Sequence, residues 1–185
     1  MGITYFKRYR MELDLENFVP SSYRLPEGYE VLPWSEDLLK QHGLAKFHSF
    51  QWELDANVFP CLGQRDGCQR LMQEIAGRSN FVPEATWLLR FRDSDSRKPQ
   101  PVGTVQGIQA EGWGALQNLG IAKPHRGQGL GSILLNLATK GFQQIGLTRM
   151  HLEVTTDNTA ALRLYERLGY RRAQTVFKAA DVAMA

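Results

Sequence analysis

A chain of 185 residues is long enough for one domain with a substantial core and too short for two ordinary ones. Hydrophobic residues at 43% and charged residues at 22% exclude a disordered chain, and a net charge of +3 is too slight to mark nucleic-acid binding while tolerating a phosphate-bearing ligand. No apolar run approaches the roughly 20 residues of a membrane span, and the start, "MGITYFKRYRMELDL", lacks the apolar core of a secretory signal. The expectation is a cytoplasmic protein with neither membrane nor nucleic acid as a partner.

In chain order, "TYFKRYRMELDL" alternates aromatic and charged residues and reads as an edge strand or as a mobile basic tail, so residues 1–28 are assigned to an N-terminal extension. "YEVLP" is a short strand and opens a single domain over residues 29–180. "SEDLLKQHGLAKFHSF" predicts a helix capped by Ser35, with Leu38, Leu39, Leu44 and Phe47 at helical spacing. "QWELDANVFPCLGQRDG" has no period and predicts a loop, followed by a helix near "CQRLMQEIAG". Cys61 and Cys68 are separated by six residues without a histidine pair nearby, which predicts free thiols and no metal site. "ATWLLRFR" and "VGTVQGIQA" predict two strands joined by the polar turn "DSDSRKPQP". "GWGALQNLGIA" is a further extended segment. Strand "MHLEVTT", helix "NTAALRLYERLG" and strand "YRRAQTVFK" complete an α/β pattern, a mixed sheet with helices on both faces.

Between the last two groups stands "PHRGQGLGSILLN", with Gly127, Gly129 and Gly131 alternating ahead of an aliphatic run. Leu130, Ile133, Leu134, Leu137, Ala138 and Ile145 fall on one helical face, so the helix starts at or near Gly129 and the glycine turn is its N-terminus. The first amide N–H groups of a helix lack internal partners and carry partial positive charge. Alternate residues without Cβ atoms let an anion approach them, and a phosphate site is the result. The P-loop pattern fails for want of a Lys-Ser/Thr pair, and the dinucleotide pattern fails at Ser132, where its third glycine should stand.

These residues resemble the GNAT superfamily of acetyl-coenzyme A-dependent N-acetyltransferases, whose phosphate motif Arg/Gln-x-x-Gly-x-Gly/Ala is matched by Arg126, Gly129 and Gly131. "NLGIAKPHRGQGLG" and "HLEVTTDNTAALRLYERLGYRR" are similar to consecutive family motifs and together extend the likeness over residues 113–177. The resemblance implies a GNAT acyl-CoA N-acyltransferase fold, its sheet splayed between the parallel strands "ALQNLGIA" and "MHLEVTT". It implies that the pantetheine arm of acetyl-CoA lies in that gap, on the main chain of Leu119 and Ile121, with Gly120 at a bulge between them. The diphosphate falls on the amides of Gly127, Gln128, Gly129, Leu130, Gly131 and Ser132, beside Arg126. Asn158, an N-cap in its own right, would touch the cofactor arm, and either Arg163 or Arg167 could reach its phosphates. Tyr165 matches the tyrosine that protonates the departing sulfur.

The proton acceptor is less legible. Ala115 stands where many relatives carry a glutamate, which leaves Glu153, Glu111, Glu53 and His48 as candidates, Glu153 only if its side chain faces the cleft. Trp52, Phe50, Phe59, Glu53 and Asp55 suit a pocket for a cationic amine. The expected function is acetyl transfer from acetyl-CoA to a primary amine of a small molecule or a peptide N-terminus, in a class where homodimers are common. The alternative is a non-catalytic acyl-CoA-binding sensor or scaffold.

Overall fold

The computed structural model describes residues 2–182. Its strands are β1 (Gly2–Asp14), β2 (Tyr29–Pro33), β3 (Phe81–Phe91), β4 (Gln100–Ala110), β5 (Trp113–Ile121), β6 (Arg149–Thr155) and β7 (Arg171–Val182). Its helices are α1 (Leu39–Phe50), α2 (Leu54–Val58), α3 (Arg65–Ala76), α4 (Leu130–Gln144) and α5 (Thr159–Arg167). The strands form one sheet in the order β2-β3-β4-β5-β6-β1-β7. Neighbours pair antiparallel except β5 and β6, which run parallel because α4 carries the chain back across the sheet between them.

The N-terminal segment is a correction to the sequence reading. Strand β1 is neither tail nor edge: it is hydrogen-bonded to β6 on one side and β7 on the other, so Gly2–Asp14 is an interior strand of the sheet. Its mixed composition follows from that position. Met11 and Leu13 enter the core, while Arg8, buried to 6% exposure, points to the opposite face and finds polar partners there. The edges are β2 and β7.

Residue alternation along β4 assigns the helices to faces. Thr104 and Gln106 meet α1 through His42 and Lys46. Gly107, one residue on, turns the other way, and a Cβ there would lie 2.8 Å from the Phe142 ring of α4. Helices α1 and α4 therefore cover opposite faces. The predicted stripe of α4 is buried at Leu130, Ile133, Leu134, Leu137 and Ala138, and packs with Met11, Leu89, Val105 and Met150. Ile145 departs from that stripe, since it follows the last helical residue and is 38% exposed.

Three local readings also change. Ser35 is extended but makes no side-chain cap, and a short 3-10 turn over Glu36–Leu38 precedes α1. The segment predicted as a loop contains α2 and a 3-10 turn at Pro60–Gly63. Strand β3 begins at Phe81, four residues ahead of the predicted start, with a break in register between Val82 and Trp87 around Pro83. Both cysteines are free.

Candidate active site

Strands β5 and β6 are paired only at Gly114–Met150 and Ala115–His151, and from Leu116 onward they part. What parts them is a bulge in β5. Across β4 the register passes from Gln106–Gln117 to Thr104–Gly120, so three steps on β5 match two on β4. Asn118 absorbs the extra residue in a left-handed conformation, φ 44°. The bulge is thus centred two residues ahead of Gly120, which serves a different purpose. A Cβ at Gly120 would sit 2.6 Å from both Phe50 and Ser49, so the missing side chain lets the end of α1 close on the strand. Gly120→Ala is expected to destabilise the protein by roughly 1–3 kcal/mol through overpacking. An unchanged denaturation midpoint would contradict that close approach.

Below the bulge lies a buried polar chain that sequence reading did not find. Lys46 of α1 is fully buried. It donates to Gln106 Oε1, and to Asn118 Oδ1 at 3.0 Å. Gln106 Nε2 donates to Thr104 Oγ1 at 2.5 Å, which leaves the threonine hydroxyl to donate to His42 Nδ1 at 2.8 Å. Burial brings Lys46 down to about 7 from 10.5, against a partial opposing effect of Cys68 and Cys61. Burial, with Lys46 second, brings His42 down to about 3, so the imidazole is neutral. The unfolded chain keeps its lysine proton to the ordinary value and the folded chain sheds it near 7. Below pH 7 the cost of the buried charge is fully present, and it is relieved as pH rises. Wild-type stability should therefore climb by roughly 1–2 kcal/mol between pH 7 and 9 relative to Lys46→Met. Chemical denaturation of both proteins at those two pH values checks this, and parallel profiles would count against it.

The opening between β5 and β6 is a cavity of about 390 Å³. One wall carries Leu116 and the bulged residues Asn118, Leu119, Gly120 and Ile121; the other carries Leu152, Glu153 and Val154 of β6. At one end stands the glycine turn. Gly127 and Gly129 hold φ 79° and 78°, a left-handed backbone that favours glycine, and a Cβ on either would meet nothing within 4 Å. Gly129 caps α4, and the first internal bond there runs from Ile133 N–H to Gly129 O at 3.1 Å. The amides of Leu130, Gly131 and Ser132 are thus left without intrahelical acceptors at the cavity wall.

Not every predicted residue joins this wall. Gln128 does not line the cavity; its Nε2 donates to the Tyr29 hydroxyl at 3.0 Å, and Tyr29 is in turn 2.7 Å from His125 Nδ1. Arg126 does line it, with its guanidinium directed at protein acceptors. Arg167 lines the cavity and Arg163 does not. Asn158 caps α5, its Oδ1 accepting from Ala161 N–H at 3.2 Å, and reaches the cavity as well.

Tyr165, on α5, comes to the gap from the α4 face, buried to 8% exposure. Burial raises its phenol far above the ordinary value, the Asp55 carboxylate raises it further and Arg8 opposes. Those influences from α2 and β1 reach it because the parted strands let the two faces of the sheet meet. Arg8 organises the far side: Nη1 donates to Thr155 Oγ1 at 2.9 Å and Nη2 to Glu153 O at 3.0 Å. Its Nη1 stands 3.5 Å from Asp55, and its Nε 3.6 Å from Glu153 Oε2, too long for a hydrogen bond. Its guanidinium carbon lies 5.1 Å from the Phe59 ring centroid, within cation–π range. Burial raises the Asp55 carboxyl above its usual value, with Arg8 pulling it back.

Among the candidate proton acceptors, Glu53 and Glu153 line the cavity and Glu111 and His48 do not. Glu111 is a turn residue with φ 51° between β4 and β5, and His48 Nδ1 lies 3.4 Å from Pro101 O. Phe50 and Phe59 line the cavity, whereas Trp52 is 86% exposed outside it. Arg8 escaped sequence reading because its β6 partners lie about 145 residues away, whereas Asp55, expected in the pocket for a cationic amine, does line the cavity.

The site is thus a sheet opened at one parallel pair, with bare helix amides at one end and a buried tyrosine across the gap. A model of the acetyltransferase (GNAT) family matches residues 47–170, and the chain belongs to that family. It is 30% identical over 176 residues to mycothiol acetyltransferase of Streptomyces scabiei (strain 87.22), covering 92% of this chain and 52% of the relative. It is 35% identical over 80 residues to the uncharacterized N-acetyltransferase YobR of Bacillus subtilis (strain 168), 43% of this chain and 32% of that one. The chain therefore spans a third to a half of these relatives' length. The structure of a GCN5-related N-acetyltransferase from Sphaerobacter thermophilus superposes with a TM-score of 0.68 at 21% identity, over 96% of this chain and 52% of that one, a likeness of fold.

Proposed function

We propose that this chain transfers an acetyl group from acetyl-CoA to a primary amine, carried by a small molecule or a peptide N-terminus. The observation that carries the reading is the gap between β5 and β6, with unpartnered α4 amides at one end and Tyr165 beside it. The glycine turn, open where a Cβ would stand at Gly127 and Gly129, fits a diphosphate. The exposed edge of β5 at Leu119 and Ile121 fits the amides of a pantetheine arm. Acetyltransferase relatives support the same donor.

In this reading the amine, once neutral, attacks the thioester carbon and the carbonyl electrons move to oxygen. As the carbon–sulfur bond breaks, Tyr165 gives its proton to sulfur and recovers one from the nitrogen. Burial keeps that phenol protonated across the working pH range, and it also makes the phenol a weaker acid. The ammonium proton goes to a carboxylate of the acceptor side, where Asp55 and Glu153 flank Arg8. Glu153 keeps the catalytic role expected of it, with Asp55 the more enclosed of the two, at 21% side-chain exposure against 44%. The acidic lining fits a cationic acceptor. A homodimer also belongs to this proposal, and Ile3, Tyr5 and Phe177 supply an exposed apolar surface on one face of β1 and β7.

A panel of primary amines and peptides, read by release of free thiol from acetyl-CoA, tests the function. Amine-dependent thiol release supports it. Saturable acetyl-CoA binding without release across the panel would favour the non-catalytic acyl-CoA-binding module, the reading that the missing carboxylate at Ala115 supports.

A further inference from the structure

Arg126 belongs to the phosphate-turn motif, yet its guanidinium is committed elsewhere. Nε donates to Ile121 O at 2.8 Å and Nη2 to Ser49 O at 3.0 Å. Nη1 forms an ion pair of 2.8 Å with Glu53 Oε1. These acceptors come from two elements that meet beside the glycine turn. Ile121 ends β5 just ahead of the glycine turn, whereas Ser49 and Glu53 belong to the end of α1 and the turn after it, the wall that also presents Asp55. One side chain thus ties the end of β5, just ahead of the glycine turn, to the end of α1 and to Glu53.

The three bonds differ in kind. Two go to main-chain carbonyls and fix the guanidinium plane. The third goes to a carboxylate, and both partners are partly open to solvent, at 40% and 36% side-chain exposure. An ion pair so placed is weak and exchangeable. The residue after Arg126 is Gly127, where the turn opens onto free space, so an arriving diphosphate would bring more negative charge to this guanidinium than one carboxylate supplies.

Resting on the transferase reading above, we propose that Arg126 and Glu53 form a latch between the two substrate sites. The diphosphate of acetyl-CoA competes with Glu53 for Arg126, and its binding frees the Glu53 carboxylate to receive the ammonium of the acceptor. Without acetyl-CoA, Glu53 is neutralised and the acceptor side lacks one of its anions. With acetyl-CoA bound, Glu53 joins Asp55 and Glu153 as a third carboxylate facing the cavity. Glu53 is on this account a positioning residue for the acceptor, and Arg126 the element that ties its availability to the donor.

Calorimetric titration of acetyl-CoA into four proteins at low ionic strength tests the latch: wild type, Glu53→Gln, Arg126→Gln and the double variant. Glu53→Gln should bind acetyl-CoA about two- to fivefold more tightly than wild type, the range of an exposed ion pair no longer broken on binding. In the Arg126→Gln background the same change should have no effect, because the contested partner is gone. Equal constants for wild type and Glu53→Gln would overturn the latch and leave the transferase reading intact. A gain that persists without Arg126 would also overturn it, as plain repulsion between Glu53 and the phosphates. Absence of binding by all four proteins would overturn both.

Discussion

Tyr165→Phe is expected to lower kcat by about 10²- to 10⁴-fold while leaving acetyl-CoA affinity within about twofold of wild type. The change removes one oxygen and keeps the ring that packs 5.8 Å from Tyr170, so the fold should survive it. The size of the loss follows from the leaving group. A thiolate expelled in an enclosed gap needs a proton, and Tyr165 is the phenol that lines this cavity. Asp55 and Arg8 act on that phenol in opposite directions, so Asp55→Asn should lower its pKa and ease proton donation even while it removes a carboxylate from the acceptor side. Steady-state rates with the amine found by the panel, beside calorimetry of acetyl-CoA, separate the two quantities. Unchanged turnover would remove Tyr165 from the chemistry.

Gly129→Glu should weaken acetyl-CoA binding by about 100-fold or more, the worth of one or two charge-assisted hydrogen bonds lost together. The glycine sits at φ 78° with open space where a Cβ would stand, so a larger residue pays a backbone cost without a clash. Glutamate then places its own carboxylate at the helix amides and, through the helix dipole, recovers part of that cost. The variant should fold and its site should be blocked by like charge. Gly129→Ala separates backbone strain from charge, with a loss of binding well below that of the glutamate variant. Undiminished affinity in Gly129→Glu would remove the diphosphate from this turn.

The second half of the fold was legible because its signals are local. The stripe from Leu130 to Ala138, the glycines before it and the Asn158 cap each declare themselves within one or two helical turns. The parting of β5 and β6 followed from resemblance, but its cause did not. Asn118, not Gly120 two residues on, takes the left-handed residue of the bulge, and Lys46 from α1 holds the asparagine side chain. That contact spans 72 residues, and in sequence Lys46 reads as one more surface lysine on an amphipathic helix. Strand β1 misleads for the same reason. Its arginines look like those of a solvated tail, and only the folded sheet brings Arg8 against Thr155, Glu153 and Asp55. Gln128 adds a side-chain role that its place in the motif does not announce, since the motif concerns its amide and its Nε2 braces Tyr29.

A crystal structure of the protein with acetyl-CoA tests the central claim most directly. The account predicts the diphosphate on the amides of Leu130, Gly131 and Ser132, the pantetheine arm along β5 past Leu119 and Ile121, and the sulfur facing the Tyr165 hydroxyl. A diphosphate bound away from the α4 N-terminus, or an arm lying outside the β5–β6 gap, would contradict it.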